Sequence, residues 1–218
     1  MAADPSAVRA VLIEAQRFGF LGPAPVDEQY EHAAGLAELL ERAGVGPAGF
    51  LDLGSGGGLP GLVLAARWPD VPATLLDAST RRTDFLVGAV TRLGWAERVR
   101  VLRGRGEDLA RRAAERGAFA LVVARSFGPP AVTAEIGSGF VAPGGVLAVS
   151  EPVGDATADA RWPTDGVATL GLGSPTLMVG PGSRLVVLRR VAALDDRWPR
   201  ANGMPAKRPL WTVEAASG

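Results

Sequence analysis

Short apolar runs alternate with helix-spaced segments through the middle of the chain. The runs are "GFLDLGS" (49–55), "PATLLDAS" (72–79), "RVRVLRG" (98–104), "FALVVARSF" (119–127) and "GVLAVSEP" (145–152). Between them lie Pro60–Trp68, Arg81–Leu93, Asp108–Arg116 and roughly Pro129–Phe140, which have the length and spacing of helices. Runs that are apolar throughout, rather than at every second residue, belong to strands buried on both faces. Strands separated by helix-length crossovers pair in parallel. This rhythm constrains the fold more than anything else in the chain: an α/β domain whose mostly parallel sheet is covered on both sides.

Both ends depart from the rhythm. Ser6 to Gly19 has Val8, Val11, Leu12 and Ala15 at helical spacing, with Asp4-Pro5 placed to cap and start the helix. "GFLGPAP" interrupts it, and a second helix is expected from Val26 to Ala43, stopped by Gly44. In the last third, "VATLGLG" (167–173) and "SRLVVLRRV" (183–191) read as strands. The "SPTLMVGPG" between them is too short for a crossover helix, so a closing antiparallel pair is expected. The expected organisation is a helical cap over 1–46, a core over 47–194 and an irregular basic tail over 195–218.

Composition narrows the chemistry. Hydrophobic residues are 47% of the 218 and charged residues 21%, enough apolar material for a sizeable core. Lys and Arg number 23, as do Asp and Glu, so no global field draws the chain to polyanions. The absence of cysteine removes thiol nucleophiles, disulfides and Cys-bound zinc. His32 is the only histidine, and no carboxylates stand at ligand spacing, so no metal site is expected. Neither a secretory leader nor a membrane-length apolar stretch is present, which points to a cytoplasmic protein.

The first βα turn carries the sharpest signal. In "FLDLGSGGGLPGL" (50–62) an acid ends the apolar run, and Gly54, Gly56 and Gly58 lead into a helix. In open parallel sheets ligands sit beyond the C-terminal strand ends, over such a turn, and glycine lets the backbone come close to them. A G-x-G-x-x-G loop would suit a pyrophosphate. Here Asp52 precedes the glycines and would repel phosphate. Asp77 ends the next run, where an acid holds ribose hydroxyls, and "GRGED" (104–108) brings more acid at the third. A cationic, phosphate-free nucleoside meets these conditions: S-adenosylmethionine. The alternative is that Asp52 only caps the helix and the glycines only turn the chain.

Taken together, "DLGSGGGLPGLVLA", "LLDASTRRTDFL", "GRGEDL", "VVARSF" and "PGGVLAV" resemble the bacterial 16S ribosomal RNA guanine-N7 methyltransferase family, once called glucose-inhibited division protein B. The ending "RWPRANGMPAKRPL" and the lead-in "FGFLGPAPVDEQYEH" resemble it too, so the likeness spans nearly the whole chain. It implies a Rossmann-like class I methyltransferase, with a seven-stranded sheet, a C-terminal antiparallel hairpin and N-terminal helices. It also implies S-adenosylmethionine as cofactor and ribosomal RNA or the small ribosomal subunit as partner. Gly54, Ser55, Gly56 and Gly58 would line the amino-acid end of the cofactor, and Asp52 and Leu59 would belong to the same cofactor-binding set. Asp77 and Ala78 would take the ribose, and the backbone at Gly106 and Glu107 would flank the adenine. Arg125 would stand at the methyl-transfer centre. His32, Arg81, Arg82, Arg200, Lys207 and Arg208 would face the RNA.

The substrate side departs from the family. Gln29, Glu31 and Gly35 replace the usual Trp, Arg and amide or acid around His32, and Glu151-Pro152 replaces a Lys-Gly after the fifth strand. Such changes leave open a same-fold enzyme with a small-molecule or peptide acceptor, or a cofactor-binding paralogue without RNA activity. Methylation at guanine N7 needs positioning rather than a general base, because the nitrogen carries a lone pair and no proton. Arg125 has two readings: a donor to guanine O6, or a scaffold partner of Asp77 or Glu107. His32 has two as well: a packed helix residue oriented by Glu28, or a substrate contact. Trp198 and Trp211 flank the basic tail, which is read either as an RNA contact or as a solvated charge run.

Overall fold

The computed structural model describes residues 5–152 and 158–213. Asp4, expected to cap the first helix, lies outside the described residues. The chain opens with α1 (Pro5–Arg17) and α2 (Val26–Arg42), each amphipathic. Val8, Leu12 and Ala15 are fully buried, and burying a Val or Leu side chain contributes about 1.5–3 kcal/mol. That apolar stripe, rather than helix propensity, holds α1 in place.

The sheet follows: β1 (Phe50–Leu53), α3 (Gly61–Arg67), β2 (Ala73–Asp77), α4 (Thr80–Arg92), β3 (Val99–Arg103), α5 (Gly106–Leu109), β4 (Phe119–Ala124), α6 (Pro130–Ser138) and β5 (Val141–Ser150). Then come α7 (Ala158–Arg161), α8 (Thr164–Ala168), β6 (Thr176–Gly180), β7 (Ser183–Arg189) and α9 (Met204–Lys207). The strand order is β3-β2-β1-β4-β5-β7-β6. β1 to β5 pair in parallel, and β7 runs antiparallel to both β5 and β6. This is the layout the family resemblance implied.

The apolar runs explain the positions of their strands. β1 and β2 are buried along their length, as internal parallel strands must be. β3 is less buried because it is an edge, with Arg100 and Arg103 exposed and only Val99 fully inside. One core joins α1 to α4 against one face of the sheet, and a second joins α5, α6, α8 and Trp198 against the other.

Two expectations about elements fail. "VATLGLG" is not a strand: Val167 N–H bonds the Pro163 carbonyl in α8, and Gly171 (φ +69°) turns the chain out of that helix. The partner of β7 is instead "TLMVG", inside the expected linker. Gly180 faces Ser183 across a two-residue turn in which Gly182 (φ +67°) follows Pro181. Pro then a positive-φ Gly suits a tight turn, so the hairpin needed no longer loop. Only Gly106–Leu109 of the third crossover is helical. Beyond it Arg112 and Glu115 make i to i−3 bonds, while Arg111 and Arg116 reach carbonyls of the tail.

Candidate functional site

At the C-terminal end of β1, Gly54 N–H and Ser55 N–H both bond the Leu76 carbonyl at 2.8 Å, tying the glycine loop to β2. Gly54, Gly56 and Gly58 have φ of +78°, +54° and +104°. A Cβ on Gly58 would run into Leu62, and one on Gly54 would lie 2.6 Å from the Phe127 ring. At Gly56 a Cβ would meet nothing nearer than the Phe20 carbonyl, at 3.7 Å. The loop is therefore packed at its ends and open at Gly56. Ser55 and Leu59 are buried, whereas Ala78 is exposed.

The acids divide into two kinds. Asp77, at the end of β2, accepts from Gly56 N–H (3.0 Å) and Ser79 N–H (2.8 Å), with Arg82 at 3.6 Å. It braces the loop from the end of β2. Asp52 is completely buried: its Oδ2 accepts from Gly61 N–H at the start of α3 (2.9 Å), while Oδ1 has no protein partner. Burial above all pushes its pKa up to about 7, against the pull of the Gly61 and Ser55 hydrogen bonds and the Arg125 charge. Sequence reasoning set Asp52 facing the ligand; the structure sets it beneath the loop, where it fastens α3.

On the far side, a Cβ on Gly106 would lie 2.7 Å from Ile136, so this glycine allows α5 to approach α6. Glu107 is buried, and its carboxylate accepts from Gly203 N–H at 3.2 Å.

Arg125 follows Ala124, which pairs with Leu53, so the arginine starts opposite Gly54. Its Nη2 donates to Gln29 Oε1 at 3.1 Å, and its Nη1 is buried without a protein partner. Arg125 pairs with neither Asp77 nor Glu107; the charge it faces is Asp52. Ser126 has φ +53°, a conformation that costs a side chain roughly 1–2 kcal/mol, and this turn lays Phe127 on Gly54. Arg125 and Phe127 also line a cavity of about 860 Å³ beyond the ends of β4 and β5, with Glu28, His32, Glu151 and Trp162. Glycine loop and cavity thus share the Phe127 wall.

His32 is not oriented by Glu28. Its Nδ1 lies 3.0 Å from the Gly182 carbonyl and its Nε2 3.0 Å from Ser150 Oγ. Burial chiefly, and the Arg125 charge, hold its pKa below the usual value, opposed by the Gly182 bond. Glu151 bonds Arg161 Nε (2.5 Å) and Trp162 Nε1 (3.1 Å), closing the cavity floor.

The expected RNA-facing cations separate. Arg81, Lys207 and Arg208 are exposed, and Arg82 leans on Asp77. Arg200 forms a two-pronged pair with Glu135, which is completely buried, so its charge is already matched. Trp198 is buried beneath Arg197 and Arg200, and Trp211 donates to the Arg161 carbonyl, so neither ring stands free. The described residues hold no group of three His, Asp or Glu able to take a metal, and no helix long and apolar enough to cross a membrane.

Gln29 is the residue that sequence reasoning undervalued. It is 5% exposed, and its Nε2 donates to the carbonyls of Gly22 (3.1 Å) and Ala24 (2.8 Å) while its Oε1 holds Arg125. The signal was a polar residue in register with Ala33, Leu36 and Leu40 on the buried stripe of α2. Gly35 is likewise no mere loss, since a Cβ there would lie 2.5 Å from Ser183 Oγ, where α2 meets β7.

Residues 14–151 match the family model described as rRNA small subunit methyltransferase G. The "Ribosomal RNA small subunit methyltransferase G" of Chloroflexus aggregans is 34% identical over 176 residues, 75% of this chain and 70% of that protein. The protein of the same name from Salinispora arenicola is 35% identical over 181 residues, 79% and 74%. Among solved structures, an O-methyltransferase from Bacillus cereus in complex with SAH superposes with a TM-score of 0.57 at 16% identity, covering 85% of this chain and 91% of that one. An O-methyltransferase family protein from Burkholderia thailandensis gives 0.55 at 17%, covering 74% and 55%. At such identities the structures establish the shared class I methyltransferase fold. With the family model and these relatives agreeing over most of its length, the chain belongs to the rRNA small subunit methyltransferase G family.

Proposed function

We propose that this chain is a cytoplasmic S-adenosylmethionine-dependent methyltransferase that methylates guanine N7 in small-subunit ribosomal RNA. The observation that carries this reading is the shared wall: the glycine loop and the cavity meet at Phe127, with Arg125 between them.

The residues fit the cofactor. Open backbone at Gly56 receives its amino-acid end, with Gly54, Ser55 and Leu59 contributing main chain. Asp77, beside exposed Ala78, takes the ribose; Gly106 and the backbone of Glu107 flank the adenine. Asp52 supports the loop from below and offsets the positive charge above it. When bound, S-adenosylmethionine supplies an electrophilic methyl group on a cationic sulfur.

The chain's own work is alignment. In the reaction a bond forms from guanine N7 to the methyl carbon as the carbon–sulfur bond breaks, so no proton must leave before transfer. Gln29 holds Arg125, and Arg125 directs a donor to guanine O6, beside N7. Phe127 offers a ring to the base and helps exclude water. Arg81, Lys207 and Arg208 meet the phosphates, with Arg82 and His32 at the rim.

The test is transfer of labelled methyl groups to small ribosomal subunits from a strain lacking the N7 modification. Label in the 16S RNA supports the proposal. Label absent from RNA, with S-adenosylhomocysteine binding intact by calorimetry, contradicts the acceptor and points to a small molecule.

A further inference from the structure

Among the described residues, three carboxylates line the cavity, and two are already engaged. Glu31 pairs with Arg9 at 2.6 Å, and Glu151 holds Arg161 and Trp162. Glu28, on the first turn of α2, is exposed and makes no hydrogen bond or ion pair with the described residues. It precedes Gln29, the residue that fixes Arg125. The cavity is therefore lined by a free double acceptor, one residue before the Gln29 that anchors the Arg125 donor, and by Phe127.

This set of groups matches one base. Guanine carries acceptors at O6 and N7 on one edge, and two adjacent donors, N1–H and the N2 amino group, on the neighbouring edge. A carboxylate accepts both donors at once. Adenine sets its N1 lone pair against the same carboxylate, which is repulsive. A site built to hydrogen-bond a group rejects the analogue lacking it, because a polar group is then left unpaired.

We infer that Glu28 is the specificity-determining residue for the acceptor base, accepting guanine N1–H and N2–H₂ while Arg125 donates to O6. The inference rests on the proposed ribosomal acceptor. It assigns a use to the exposed acid on α2 that cofactor binding does not supply. A carboxylate at this position would repel RNA phosphate, so its gain comes through the base.

The test uses full-length protein and small subunits reconstituted with 16S RNA carrying either guanosine or inosine at the methylated position. Inosine keeps N7, O6 and N1–H and lacks only the N2 amino group. Wild type is expected to favour guanosine by roughly tenfold in kcat/KM, the scale of one hydrogen bond to a charged group. Glu28→Ala and Glu28→Gln should lower kcat/KM on guanosine subunits roughly 10- to 100-fold and bring the guanosine/inosine ratio to about 1. S-adenosylhomocysteine affinity should be unchanged, separating base reading from loss of fold. A ratio in Glu28→Ala equal to that of wild type overturns the inference and leaves the ribosomal reading intact. Failure of wild type to label either subunit overturns that reading, and this inference with it.

Discussion

At the scale of single residues, the glycine loop separates conformational need from ligand contact. Gly58 is glycine because of its φ of +104° and the Leu62 side chain, whereas a Cβ on Gly56 would meet only the Phe20 and Gly54 carbonyls, at 3.7 and 3.9 Å. Gly56→Asp should therefore cost only about 1 kcal/mol of stability yet abolish S-adenosylhomocysteine binding in calorimetry. Retained tight binding would refute the assignment of this loop. Asp52 makes a different prediction. Its pKa is raised to about 7 by burial, so between about pH 4 and 7 the folded chain holds a proton that the unfolded chain has lost. The contribution is greatest at low pH and disappears as pH rises through 7, a change on the order of 4 kcal/mol. Thermal melts at pH 5 and 8 should show Asp52→Asn losing less stability over that interval than wild type. The acid was legible in the sequence, but its direction was not: only its bond to Gly61 across the loop shows that it faces inward.

At the scale of elements, sequence pattern located β1 to β5 and both N-terminal helices because each is decided by local periodicity. It misplaced β6. That strand is an edge whose sequence, "TLMVG", is half exposed, and the Pro181-Gly182 pair that sets the hairpin is only two residues long. The tail reads either as an RNA contact or as a solvated charge run, and in the structure long-range pairing holds part of it while Lys207 and Arg208 stay exposed. Arg200 covers the buried Glu135, Arg111 and Arg116 bond carbonyls of Pro199 and Trp198, and Gly203 N–H bonds Glu107. The tail is thus strapped across α5 and α6. Removing the cation from a buried pair leaves an uncompensated charge, which costs about 3 kcal/mol. Arg200→Ala should lower Tm by roughly 6–12 °C in calorimetry. A Tm within 2 °C of wild type would contradict this account of the tail.

At the scale of the whole molecule, the sheet order was recoverable because a parallel α/β rhythm leaves few topologies, and the reversed β7 completes one of them. The acceptor side was less legible. Gln29, Gly35 and Glu151 read as losses in the sequence, and each is matched in space by Arg125, Ser183 or Arg161. Equal numbers of acidic and basic residues do not prevent a cationic rim, since exposed Arg81, Lys207 and Arg208 remain at the surface. Three phosphate contacts would give a log–log salt slope for RNA binding of about −2 to −3, measurable by filter binding between 50 and 200 mM salt; a flat response would exclude these contacts. The central claim is methyl transfer to guanine N7, and N7 methylation leaves a cationic ring that is open to reduction and strand scission. The most direct measurement is borohydride–aniline cleavage of 16S RNA from unmodified small subunits incubated with this protein and S-adenosylmethionine. The account predicts a single cofactor-dependent break at a guanosine, lost with Gly56→Asp. Methyl label in the RNA without such a break would contradict the claim.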